Sequence, residues 1–245
     1  MLPKIQHPTF EIEVPSTGQK INIRPFLVKE EKILLLAKES GELSDMLKAI
    51  LQIINNCVES ADFNIDSLKM FDVDYIFLKL RCISQGDKLT LAFTADPKSD
   101  CEKCSKPKDV EIDLNKVSIS KGKKITGLTD NKLKISDTMG VVLQYPSPKD
   151  MIKHKIDAKD SIDSSLKLIW CHVDYIYDGD KIYKASDMKL EEGVEFIENF
   201  DINMFKKIEN FISGSPKITY DIEYKCPQCS KDIKYTIEGS ENFLE

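Results

Sequence analysis

Apolar and polar positions alternate with period two in four stretches of the chain, each folded about a short polar turn. Phe10-Glu11-Ile12-Glu13-Val14 and Lys20-Ile21-Asn22-Ile23-Arg24 flank Pro15-Ser16-Thr17-Gly18, which predicts a β-hairpin closed by Pro25. Helical spacing follows. Lys29 to Lys38 has an acidic start at Glu30 and Glu31 and a stop at Ser40-Gly41. Ser44 is the expected N-cap of a second helix, with an apolar stripe through Leu47, Ile50, Leu51, Ile54 and Val58. A third helix is predicted to begin at Asp72, with Phe71 and Ile76 in hydrophobic-staple positions, and to end at Gly86. Leu89 to Phe93 and Val110 to Leu114 then alternate on either side of Cys101-Glu102-Lys103-Cys104, a hairpin with cysteines at its tip.

The same order returns. Lys132 to Ile135 and Val141 to Tyr145 predict a hairpin closed by Pro146, and Ser147-Pro148-Lys149-Asp150 is a helix start. Ala158-Lys159-Asp160-Ser161 mirrors Ala37-Lys38-Glu39-Ser40 at the 121-residue offset that also relates Pro146 to Pro25. A helix through Ile162, Leu166, Ile169 and Val173 matches the first stripe. Phe200-Asp201-Ile202-Asn203 echoes Phe71-Asp72-Val73-Asp74, with Phe205 in the place of Ile76. Cys226-Pro227-Gln228-Cys229 lies between two further alternating runs, Ile218 to Tyr224 and Ile233 to Ile237, and Ser-Lys follows both cysteine pairs. The predicted class is therefore α+β: an internally duplicated unit of β-hairpin, helices, long helix and cysteine-tipped β-hairpin. The expected repeats are 1–120 and 121–245, the second with an insertion near 177–192 whose Asp178-Gly179-Asp180 tip reads as an exposed turn. A period this long fits a pseudo-two-fold body rather than a solenoid.

Two C-x2-C tips change the chemical picture. No apolar leader follows Met1-Leu2-Pro3-Lys4, which predicts cytosolic synthesis, where thiols stay reduced. No stretch is apolar for long enough to span a bilayer. Seven cysteines in such a chain favour metal binding over disulfides. Pseudo-symmetry would bring Cys101, Cys104, Cys226 and Cys229 to one zinc-ribbon-like site, and four protein ligands make that zinc structural. Strands on both sides of each pair argue against thioredoxin-like redox chemistry, which uses a helix N-terminus. Cys57, Cys82 and Cys171 fall in helical patterns and read as buried small hydrophobes.

Charge narrows the function. The net charge of −6 divides into −3 for residues 1–120 and −3 for 121–245, so neither half is a basic nucleic-acid domain. Lys103, Lys106, Lys108, Lys225, Lys231 and Lys234 near the two tips keep a second reading open, a zinc-ribbon nucleic-acid-binding or regulatory protein. His7, His154 and His172 have no nucleophile arrangement beside them, and no HExxH or phosphate-loop pattern occurs. Asp178 and Asp180 fall short of a calcium loop. The sequence does not read as that of an enzyme.

Three stretches carry a family resemblance: Met1 to Glu11; Arg24-Pro25-Phe26-Leu27-Val28-Lys29-Glu30-Glu31-Lys32; and Phe71-Asp72-Val73-Asp74-Tyr75-Ile76-Phe77-Leu78-Lys79-Leu80-Arg81. With Ile53 to Val58, Ile176 to Asp180 and Ile237 to Leu244, they resemble the baseplate hub subunits of T4-like tailed bacteriophages over nearly the whole chain. The resemblance implies a non-enzymatic component or assembly factor of the central hub of a contractile tail, with other hub proteins as partners. It implies assembly in the cytoplasm of the infected bacterium and a place in the tail baseplate of the virion for those members that remain. It brings no catalytic or cofactor-binding residues, and zinc rests on the cysteine spacing alone.

Overall fold

The structure, a computed structural model, describes residues 5–96, 98–122, 128, 131–154, 162–226 and 228–239. The segment 158–161 and most of the Lys-rich connection after Lys121 lie outside them. The first hairpin forms as its alternation requires, β1 (Phe10–Glu13) against β2 (Lys20–Ile23). It packs Val14, Ile21 and Ile23 onto α2 (Leu43–Cys57) and α3 (Met70–Gln85), and α1 (Val28–Ser40) covers them from outside. Ser44 does not cap α2. Gly41 leaves α1 in the left-handed conformation (φ 71°), and Ser40 Oγ accepts the Glu42 N–H at 3.3 Å. The turn is thereby used up before Ser44, which falls inside the first helical turn.

α3 also starts earlier than its staple pattern predicts. Asp72 is its third residue, fully buried, and its carboxylate bends back to accept the Lys69 N–H at 2.7 Å. The other oxygen accepts the Ser16 N–H at 2.8 Å, which ties the β1–β2 turn to the helix. Two backbone donors meet the needs of a buried carboxylate better than a solvent-facing cap would. Phe71 is thus released from a staple role and lies within the helix. After α2 the chain runs back beside β2, with Val58 bridging Ile23.

The second half also opens on a hairpin followed by helices. β6 (Lys132–Lys134) and β7 (Met139–Leu143) form the hairpin, followed by α5 (Pro148–Lys153) and α6 (Ile162–Cys171). Ser147 accepts the Asp150 N–H as the N-cap of α5, as its sequence predicts. Val173 is buried as the stripe requires, but it is not helical. It opens β8 (Val173–Asp178), opposite Leu143 of β7, as Val58 stands opposite Ile23. β8 continues through the Gly179 turn into β9 (Lys181–Lys184), completing a sheet of order β6-β7-β8-β9. Leu133, Val141, Leu143 and Ile176 face α6, α7 (Leu190–Glu198) and α8 (Ile202–Ser213), around a fully buried Trp170. Gly193 permits this packing, because a Cβ there would stand 2.2 Å from the Trp170 ring. Asp201 caps α8 by accepting the Met204 N–H at 2.8 Å, which leaves Phe200 and Phe205 in staple positions.

The two cysteine-tipped hairpins form where the halves meet. β3 (Lys88–Phe93) pairs with β4 (Lys108–Asp113), and β10 (Ile218–Lys225) with β11 (Asp232–Glu238). Their apolar faces share one core: Leu89, Leu91, Val110 and Ile112 from one, Ile218, Ile222 and Ile237 from the other, with Leu78 and Cys82 of α3. A two-residue strand, β5 (Ser118–Ile119), crosses over to pair with the start of β10. Elsewhere the halves touch through aromatic rings. Phe71 meets the edge of Tyr145 at 5.5 Å, and Tyr145 stacks on Phe211 at 5.1 Å.

A four-cysteine candidate metal centre

Each cysteine pair is shaped by its own backbone. In the first tip, α4 (Glu102–Ser105) is a single turn, and the Cys101 carbonyl accepts the N–H groups of Cys104 at 2.9 Å and Ser105 at 3.0 Å. In the second, the Cys226 carbonyl accepts the Ser230 N–H at 2.9 Å, and Ser230 takes a left-handed φ of 59°. The same bond, from the serine after the second cysteine to the carbonyl of the first, thus closes both tips. Side chains then cross between them. Gln228 accepts the Lys103 N–H at 3.3 Å, and Lys231 reaches Asp96 at 3.1 Å.

All four predicted ligands meet. Sγ of Cys101 lies 3.8 Å from that of Cys226, Sγ of Cys104 lies 3.6 Å from that of Cys229, and all four sulfurs lie within 4.8 Å of one another. Four thiolates placed tetrahedrally about zinc at ~2.3 Å stand ~3.8 Å apart, so the donor set fits such an ion. These separations far exceed the ~2.05 Å of a disulfide. The cluster could hold a metal ion.

The electrostatics are those of a site that asks for a cation. N–H groups of Cys229 and Gln228 donate to the Cys226 sulfur and, against burial, bring its thiol down to about 6. Burial first, and then the three neighbouring sulfurs, push Cys104 up to about 12. Four sulfurs this close cannot all ionise unless a positive charge sits between them. Metal binding would displace the remaining protons, and its affinity would fall with acid. Cys104 and Cys226 are buried with Ile233 and beside Phe93 and Tyr224, while Cys229 reaches the surface.

The remaining candidates separate from this cluster. Burial raises the thiols of Cys57 to about 11 and Cys171 to about 12, and also raises Cys82, so these three behave as packing residues. His172 is buried in the second half with Nδ1 2.8 Å from the Leu168 carbonyl, and His154 ends α5. Asp178 and Asp180 flank the Gly179 turn. Of the six tip lysines, Lys106 pairs with Glu102, Lys231 with Asp96 and Lys234 with Glu223, while Lys108 lies over the Tyr224 ring. No helix among the described residues is long and apolar enough to cross a membrane.

One buried charge pair goes unread in the sequence. Arg24 donates to Glu30 at 3.1 Å, to the Asn56 carbonyl at 2.8 Å and to the Pro25 carbonyl at 2.9 Å. Glu30 also accepts the Leu27 N–H at 2.9 Å. Burial raises the Glu30 carboxyl, but bonds from Arg24 and Leu27 outweigh it and hold the group below the usual carboxylate range. The pair fastens the end of β2 to the start of α1 and the last turn of α2. Its legible trace is an Arg-Pro at a strand end with an acid in the next helix's first turn.

The family model described as T4 bacteriophage base plate protein matches residues 7–245. No curated protein and no solved structure matches the chain. A match over nearly the whole length places the chain in the T4 bacteriophage base plate protein family.

Proposed function

We propose that the protein is a structural or assembly component of the central hub of a contractile-tail baseplate, acting through contacts with other hub proteins. The family match over residues 7–245 carries this reading. Its buried ionisable groups support a non-enzymatic role, because Arg24, Glu30, Asp72 and His172 are each hydrogen-bonded into the frame. The protein would assemble in the host cytoplasm and, where it stays bound, travel in the virion's tail. Co-expression with the same phage's baseplate proteins should yield a stoichiometric complex through size-exclusion chromatography. A monomer that retains none of them overturns the proposal.

In this reading the four-cysteine centre carries zinc and clasps two copies of one ancestral unit, 1–120 and 121–245, related by a pseudo-two-fold. The matched serine-to-cysteine bonds and the matched Val58 and Val173 bridges support the duplication. Structural zinc contributes ~10–16 kcal/mol of apparent binding energy coupled to folding. Elemental analysis should find one zinc per chain, absent from a Cys101→Ser variant; metal-free, fully stable wild type overturns the clasp. The nucleic-acid reading is weaker, since four of the six tip lysines are engaged within the protein.

A further inference from the structure

One lane beside β10 is filled for two residues and then open. The ladder between β10 and β11 runs through the even residues of β10: Gly239 N–H donates to Ile218 at 3.0 Å, and Cys226 N–H to Lys231 at 2.9 Å. In an antiparallel pair the alternate residues turn their N–H and C=O groups the other way. On that far edge Lys217 accepts the Ser120 N–H at 2.8 Å, and β5 pairs Ser118 with Thr219. β5 then ends. Asp221, Glu223 and Lys225 present their backbone groups in the same direction, and no strand pairs with them among the described residues.

Space and side chains match the open edge. A groove of about 720 Å³ runs between β4 and β10, and a second hollow continues it past Lys108 and Tyr224 to the cysteine tips. The edge from Tyr220 to Lys225 would accept a strand of about six residues, roughly 20 Å long. Residues on β10 alternate: Tyr220, Ile222 and Tyr224 belong to the shared core, while Asp221 and Glu223 face outward. Four acids, Asp109, Glu111, Asp221 and Glu223, line the groove with Lys108 and Lys116; Glu111 also pairs with Lys88 and Glu223 with Lys234, both pairs exposed to water.

We infer that this lane receives an extended, basic segment of another baseplate protein by strand addition, antiparallel to β10 as β5 is. The identity of the partner rests on the baseplate reading; the binding mode does not. Side chains opposite Asp221 and Glu223 are Lys or Arg, and the one between them is apolar and faces the core. Opposite charges across a strand pair stabilise it, and like charges oppose it. A second copy pairing through the same edge, centred on Ile222, would set Asp221 against Glu223 of its neighbour, which disfavours that occupant. Open strand edges are templates for such additions.

The test uses the full-length protein and the capped hexapeptide Ser-Val-Lys-Val-Lys-Val, whose lysines fall opposite Glu223 and Asp221 and whose serine falls opposite Lys225. Binding should slow amide exchange at Asp221, Glu223 and Lys225, and the same hexapeptide with both lysines replaced by glutamate should bind at least ~tenfold more weakly. N-methylation of the lysine nitrogens, which face β10 in this register, should weaken binding at least ~tenfold, while N-methylation of the valines should not. The inference is overturned by unchanged exchange at those three amides, by equal binding of the acidic peptide, or by equal sensitivity to the two methylation patterns. Slowing of the same amides with rising protein concentration alone would assign the edge to a second copy and overturn the basic segment. None of these results bears on whether the protein co-purifies with baseplate proteins, so the two proposals fail separately.

Discussion

Two of the contacts between the first and second halves of this chain use different physics. At the tips, four sulfurs converge within 4.8 Å, with an Asp96–Lys231 bridge beside them. At the other joint, Phe71 meets the edge of Tyr145, Tyr145 stacks on Phe211, and the Met70 N–H donates to the Pro146 carbonyl at 3.2 Å. The first joint is directional and depends on protonation state. The second is a matter of area and ring geometry, worth about 0.5–1.5 kcal/mol per aromatic pair beyond burial. A polar joint can be opened chemically; an apolar one yields only to mutation or denaturant.

Removing the proposed zinc is the largest expected effect, since ~10–16 kcal/mol of coupled binding would equal or exceed the whole stability of a typical domain. The expected outcome after chelation is loss of amide protection in β3, β4, β10 and β11, whose shared core the proposed clasp would hold. The clusters around Ile53 and Trp170 should stay protected, because each buries its own apolar core. Uniform loss of protection would show that the joints are not separable, and unchanged protection would show that the sulfurs do not matter to stability.

The difference between the joints also explains what the sequence reveals. C-x2-C is a local signal with a fixed spacing, repeated on two alternating frames, so all four candidate ligands are legible together. The four hairpins read from alternation are equally legible, because period two needs only neighbours, whereas the β8–β9 pair reads only as an insertion with an exposed turn. Ring contact among residues 71, 145 and 211 has no local signal. Phe71 reads as a staple because the pattern around Asp72 suits a helix start, whereas the buried carboxylate is recruited by Ser16, far away in sequence. Val173 fails in the same way: the stripe places it inside, but strand pairing with Leu143 decides its conformation.

Phe211→Ala tests the second joint. Phe211 is buried against both Tyr145 and His172, and truncating a buried Phe costs about 3–5 kcal/mol. Chemical denaturation should report that loss, while elemental analysis should find the metal content unchanged. Loss of metal in this variant would mean that the aromatic joint positions the cysteines, and the contrast between the two would collapse.

The smallest expected effect separates the joints by pH. Burial holds His172 below its ordinary value, ahead of the opposing effect of its bond to the Leu168 carbonyl. A group depressed in the fold binds its proton first in the unfolded chain, so it favours the unfolded state as acid is added. Stability from His172 is therefore complete above about pH 6.5 and declines as pH falls from there toward the depressed folded value. His154, lowered by burial and by Lys153, adds a slope of the same sign. Thiolate protonation at the tips also destabilises in acid, so wild type alone cannot separate the two joints. The informative quantity is the difference in melting temperature between wild type and His172→Gln, followed from pH 8 to 5. It should shrink as pH falls, because the variant has no proton to take up at that position. A difference that stays constant over that range would show that His172 is protonated equally in both states. The acid sensitivity would then belong to the cysteine joint and the carboxylates.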